Sequence, residues 1–298
     1  MDIANPTPGF SVLGDSISTL GGCIPAGWRV HYEGEVHVDG VTAPEHTWWG
    51  QVIDHFGGRL VGNASFSGSC VEGFGFPAGW SPQRLTALKG QGDETPDVVL
   101  VFMGINDFGW GGARNQTFGL SKSASAVPDD LPTPHQIQEA VGSEALELFQ
   151  QAYDRMLAGI RELAPQAQIW CLNLTPGTTP ADCGPSAQFT FRLRGLELDD
   201  YNRAIDQAAA AHDAQVVDLR SLGFCVDAVD GVHPSALGMR QIAQAVISAM
   251  EGQKTAELEQ MAAAAPQPVD ACPKPSCAGC PFAPTTPTSW ALHCTDRE

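Results

Sequence analysis

The chain predicts an α/β fold built on a mostly parallel sheet with helices on both faces. Two observations carry this. Asp97-Val-Val-Leu-Val-Phe-Met103 is a continuous apolar run bounded by Pro96 and Gly104, the pattern of a strand buried on both faces. Shorter runs of the same kind alternate with segments of helical periodicity, the order that favours parallel strands joined by crossover helices.

The elements follow in order. Phe10-Ser-Val-Leu-Gly14 reads as a short buried strand, and Ser16 stands where that strand hands over to a helix. Residues 28 to 38 alternate loosely and suit a hairpin or irregular ribbon. His46 to Phe56 reads as a helix, Arg59 to Phe66 as a second strand, and Ser81 to Lys89 as a short helix. Residues 108 to 142 are rich in Gly, Ser, Asp and Pro, and a stretch of that length without structure often serves as a lid or binding loop. Val141, Ala145, Leu148, Ala152, Met156, Ile160 and Leu163 recur at helical spacing, with Ser143 as N-cap and Pro165 as the stop. Gln168 to Leu174 is a further strand, Leu196 to His212 a helix, and Gln215 to Leu219 a strand. Pro234 suits the first turn of a closing helix that carries Leu237, Ile242, Val246 and Met250. The expected organisation is one α/β domain over residues 1–261, a linker over 262–271 and a Cys/Pro-rich tail over 272–298.

Composition narrows the function. Sixteen basic residues against thirty-four acidic ones give a net charge of −18, which argues against a nucleic-acid surface and against an anionic membrane face. No apolar run approaches the roughly 18 residues of a membrane span. The N-terminus has no Lys or Arg before Arg29 and no signal-type apolar stretch, so a cytoplasmic protein is expected. Cys23, Cys70, Cys171, Cys183 and Cys225 are scattered and read as small buried hydrophobes.

Four short patterns carry the chemistry: Gly14-Asp-Ser16, Asn63-Ala-Ser-Phe-Ser-Gly68, Gly104-Ile-Asn106-Asp107 and Asp230-Gly-Val-His233-Pro. A serine hydroxyl is a weak nucleophile until a base takes its proton. His233 is the candidate base, and Asp230 the carboxylate that fixes its tautomer and stabilises the imidazolium. Gly231 and Pro234 bracket a tight turn that lets both side chains point the same way. A turn at the carboxyl edge of the sheet would expose Ser16 where open α/β folds bind ligands. There is no Gly-x-Ser-x-Gly elbow, which weighs against an ordinary α/β-hydrolase.

In type, order and placement the four patterns resemble those of the SGNH (GDSL-type) hydrolases over residues 14 to 234. The resemblance implies a flavodoxin-like three-layer α/β/α sandwich and a catalytic set of Ser16, Asp230 and His233. It also implies an oxyanion site made by the Ser16 amide, the Gly68 amide and the Asn106 side chain. No metal or nucleotide is needed for that chemistry. The departures are small: Ser16-Ile-Ser follows the Gly-Asp where leucine is common, and the second pattern runs on as Gly68-Ser-Cys70.

A serine esterase acting on a small acyl ester is the expected activity, with O-acetyl groups on sugars or metabolites among the substrates. An acyltransferase on the same scaffold, or a binding protein that recruits a partner through its tail, are the alternatives. Phe108 and Trp110 open the long loop and are candidates for the substrate pocket. The tail carries Cys272, Cys277, Cys280 and Cys294, a set that suits a structural tetrahedral zinc. Disulfides and unliganded thiols are the alternatives there. The sequence leaves the oligomeric state open.

Overall fold

The computed structural model describes residues 7–33, 40–109, 140–175, 195–229 and 232–265. Among these described residues the sheet has five strands: β1 (Gly9–Gly14), β2 (Arg59–Asn63), β3 (Val98–Phe102), β4 (Gln168–Leu172) and β5 (Gln215–Val217). They lie in the order β2-β1-β3-β4-β5, and every neighbouring pair is parallel. This is the flavodoxin-like order, with its topological switch point between β1 and β3.

The α-helices are α1 (Trp48–His55), α2 (Pro82–Thr86), α3 (Ile105–Gly109), α4 (Gly142–Leu163), α5 (Leu198–Ala211), α6 (Ala236–Glu251) and α7 (Ala256–Ala264). Right-handed crossovers put α1, which steps from β1 outward to β2, on one face of the sheet. The same rule puts α2, α4 and α5, which step the other way, on the opposite face. The packing agrees: α1 lies against α6, and α4 against α2 and α5. All residues of β1 and β3 are buried, because both strands are covered on both faces.

Local chemistry sets the element ends. Thr47 caps α1 by accepting from the Gly50 amide at 3.0 Å, and Trp48, Trp49, Val52 and Ile53 form the buried side of that helix. Glu197 and Asp200 make a reciprocal capping box at the start of α5. No helix among the described residues is long and apolar enough to cross a membrane.

The structure corrects three local expectations. Ser143 is not the cap of α4: the helix begins at Gly142, and Val141 holds the cap position without a side-chain bond. Pro234 does not stand in the first turn of a helix, because Ser235 caps α6 from its own hydroxyl and the helix starts at Ala236. Ser16 leads into a three-residue 3-10 turn rather than an α-helix, so a helix dipole contributes little at that point. In addition, α6 is not the closing helix. Helix α7 follows it and continues through Ala264, three residues into the segment read as a linker.

Candidate active site

The site is built at the carboxyl ends of β1 and β3, on the switch point of the sheet. Strand β1 ends at Gly14, and the Asp15 carboxylate accepts from the Ile17 amide at 3.0 Å, folding Ser16–Ser18 into its tight turn. The turn doubles back on the strand end. A Cβ on Gly14 would stand 2.3 Å from the Ser18 hydroxyl oxygen, so only glycine admits this approach. Three distant groups then pin Ser18. The Trp48 indole donates to its hydroxyl at 3.1 Å, and the Trp49 indole and the Asn63 amide donate to its carbonyl at 3.0 and 3.1 Å. The two tryptophans of α1 therefore pack the core and also hold the turn that carries Ser16.

His233 is held beside an antiparallel bridge between Ala228 and Pro234, and the Val229 amide donates to the His233 carbonyl at 3.0 Å. Gln241 of α6 accepts from the Asp227 amide at 2.8 Å, and the buried Tyr32 hydroxyl donates to the Pro234 carbonyl at 2.9 Å. These ties bring His233 Nε2 to 2.9 Å from Ser16 Oγ, across 217 residues of sequence. Ser16 is 5% exposed. Asp230, the expected partner of His233, lies outside the described residues.

The second and third patterns meet beside this pair. Gly68 adopts φ +79°, a left-handed conformation that costs other residues energy. Asn106, 5% exposed at the start of α3, donates from Nδ2 to the Ser69 carbonyl at 2.9 Å. That bond uses one of its two amide hydrogens. Asp107 accepts from the Val71 and Glu72 amides at 2.9 Å each. The loop after Gly68 is thus tied to α3 by both residues of the Asn106-Asp107 pair. Sequence reasoning gave Asp107 no role, although its carboxylate is fully buried.

Arg84 was also missed. It is fully buried, and its guanidinium donates to the carbonyls of Gly14, Pro77 and Ala64. Burial pushes its pKa down to about 9, opposed by the charge of Asp15. Burial likewise pushes Asp15 up to about 6, against the Ile17 amide, His233 and Arg84, which all favour its ionised form. The Asp15–Arg84 pair lies directly behind the serine turn.

The remaining site expectations divide. Phe108 was expected at the substrate pocket but is 1% exposed and packs edge-on against Tyr201 at 5.7 Å; it belongs to the core. Trp110 lies outside the described residues. Instead an aromatic group forms next to Gly68: Trp28 contacts Phe66 and Phe76 at centroid distances of 6.0 and 5.1 Å. Residues 28–33 thus supply a wall of the site as irregular chain. Cys70, Cys171 and Cys225 are buried and Cys23 is half-buried. Cys272, Cys277, Cys280 and Cys294 lie outside the described residues.

Comparison with known proteins agrees with this architecture. Residues 12–241 match the model of the GDSL-like lipase/acylhydrolase family. Among solved structures, a GDSL-like lipase from Bacteroides uniformis ATCC 8492 is 26% identical, with a TM-score of 0.55 over 83% of this chain and 96% of that one. A GDSL-like lipase from Bacteroides ovatus ATCC 8483 is 21% identical, with a TM-score of 0.54 over 84% and 100%. A protein from Lactobacillus plantarum is 18% identical, with a TM-score of 0.52 over 83% and 97%. A search of curated proteins finds no match. With most of its length covered by the family model and its sheet ordered as that fold requires, the chain belongs to the GDSL-like lipase/acylhydrolase family and is an ester hydrolase.

Proposed function

We propose that the protein cleaves a small acyl ester through an acyl-enzyme on Ser16. The observation that carries this reading is the 2.9 Å contact between Ser16 Oγ and His233 Nε2, the reach a general base needs. In the first half-reaction Ser16 Oγ attacks the ester carbonyl carbon, and its proton passes to His233 Nε2. Asp230 is assigned to the other ring nitrogen, where it would hold the tautomer and stabilise the imidazolium. The negative oxygen of the tetrahedral intermediate is assigned to the amides of Ser16 and Gly68 and the side chain of Asn106. Collapse releases the alcohol, which takes the proton from His233. Water then repeats the sequence on the acyl-serine and frees the acid. The scheme uses only side chains and backbone amides of this chain, with no metal or cofactor. Short acyl groups, including O-acetyl on sugars or small metabolites, are the proposed substrates.

The test is p-nitrophenyl acetate turnover. Ser16→Ala is expected to lose about 10⁴-fold or more of kcat, and labelling by a fluorophosphonate probe should disappear with it. Undiminished turnover in Ser16→Ala would remove Ser16 from the mechanism. A panel of acyl esters and acceptor alcohols, with product analysis, separates hydrolysis from acyl transfer.

A further inference from the structure

A second histidine lies on the proposed base. The rings of His31 and His233 stack with centroids 3.7 Å apart and planes 11° from parallel. His31 does not reach this place by chance of a loose side chain. Its amide donates to the Thr19 hydroxyl at 2.9 Å, and that hydroxyl donates to the Ser16 carbonyl at 2.9 Å. The next residue, Tyr32, is fully buried and donates to the Pro234 carbonyl at 2.9 Å. Its own carbonyl accepts from the Gly21 amide at 2.8 Å, and its ring meets His31 edge-on at 4.7 Å. One dipeptide is therefore bonded on one side to the turn that carries Ser16 and on the other to the residue after His233.

We propose that His31 is a positioning residue for His233, a flat platform that holds the imidazole in the plane where Nε2 faces Ser16 Oγ. An imidazole has freedom about two side-chain torsions, and a hydrogen bond to a serine hydroxyl alone fixes it poorly. A ring stacked at van der Waals distance removes the tilt, as aromatic packing does in cores. His233 stands on neither a helix nor a strand, and the platform compensates for that.

The platform works in its neutral form. When His233 takes the proton of Ser16 it becomes a cation, and a neutral ring face against it is favourable, whereas a second cation at that distance repels it. Among the described residues the nearby charged groups are Asp15 on the serine turn and Arg84 of α2 behind it, and Arg29, on the segment of His31 itself, lies near Gly68.

The inference rests on the reading of His233 as the general base, and the experiment keeps the two apart. Kinetics of the full chain with p-nitrophenyl acetate at pH 8 are compared for wild type, His31→Ala, His31→Phe and His233→Ala. His31→Ala is expected to lose about 10-fold to 100-fold of kcat, with KM within about twofold, because geometry around the reacting proton is what suffers. His31→Phe restores the flat platform and is expected to recover most of that loss. If His31→Ala raises KM and leaves kcat alone, His31 contacts substrate and the proposal is overturned. It is equally overturned if His31→Ala matches wild type, or if a folded His31→Phe is no better than His31→Ala. An active His233→Ala overturns the base assignment beneath it, which is a different failure from an inactive His233→Ala beside an unaffected His31→Ala.

Discussion

Asn106 shows how one side chain joins structure to chemistry. One of its amide hydrogens holds the Ser69 carbonyl, which steadies the turn at Gly68, and the same group is the proposed third donor to the oxyanion. Asn106→Ala is expected to lower kcat by about 10²–10³-fold, with a smaller change in KM, when p-nitrophenyl acetate hydrolysis is followed. A loss confined to KM would move Asn106 from the intermediate to ground-state binding. Asp15 gives a second test at this scale, through pH. In the folded protein it keeps its proton up to about pH 6, whereas the ordinary value is 3.8. The native state therefore binds the proton more tightly than the unfolded chain. The stability that comes from this is whole below 3.8 and is lost as pH rises through about 6. A shift of that size is worth about 3 kcal/mol. In Asp15→Asn the titration is gone. Denaturant unfolding at several pH values should then show the variant gaining on wild type by about that amount between pH 4 and pH 7, whatever the constant offset from the lost charge near Arg84. A constant difference across the range would mean that Asp15 titrates alike in the folded and unfolded states.

At the scale of elements the site is a meeting of strand ends, and Arg84 is the side chain that ties them. Helix α2 is a short piece of chain, yet from it the guanidinium reaches carbonyls just before Ser16, just before Ser65 and in the loop at Pro77. Arg84→Met removes these donors and leaves Asp15 without its buried counter-charge, so a loss of about 3–5 kcal/mol is expected, read by denaturant unfolding. Arg84→Lys keeps the charge without the planar fork, and an intermediate loss is expected. A near-neutral Arg84→Met would show that the carbonyls find other donors. None of this was legible in the sequence, where Arg84 looks like an exposed helix residue: its three acceptors lie 7, 20 and 70 positions away. The same limit hid His31 and the indole bonds from α1 to Ser18. By contrast, β1 and β3 were legible, because continuous burial writes itself as an apolar run such as 98–103. Ser16 and His233 were legible as a pair because four short patterns together resemble one family, and the structure brings their side chains to 2.9 Å. The helix starts were misread by one or two residues: Ser235 caps an α6 that begins at Ala236, after Pro234, and Val141 rather than Ser143 holds the cap position of α4. Local preference names the candidates for such a position, and tertiary packing chooses among them.

At the scale of the whole molecule the site lies at the carboxyl edge of the five-stranded sheet, with supports from the helices on both faces. The family match runs over residues 12–241, and every hydrogen bond described around Ser16 and His233 falls inside that range. Helix α7 closes the described structure by packing on α6, with Leu258 buried and Thr255 capping from its hydroxyl at 3.1 Å. A chain ended after Ala265 keeps this contact, whereas one ended before Thr255 would uncover α6. The 1–265 variant is therefore expected to fold and to hydrolyse p-nitrophenyl acetate with kcat/KM within about twofold of the full chain, as a domain with its own core should. Metal analysis of the same two proteins tests the four tail cysteines, Cys272, Cys277, Cys280 and Cys294. If they hold zinc, the full chain carries about one zinc per molecule and the shortened chain none. A metal-free full chain with reactive thiols or disulfides disposes of zinc and leaves the esterase reading untouched. Loss of turnover in a folded 1–265 variant would instead bring the tail to the active site, and would make the substrate something the sheet edge alone does not recognise.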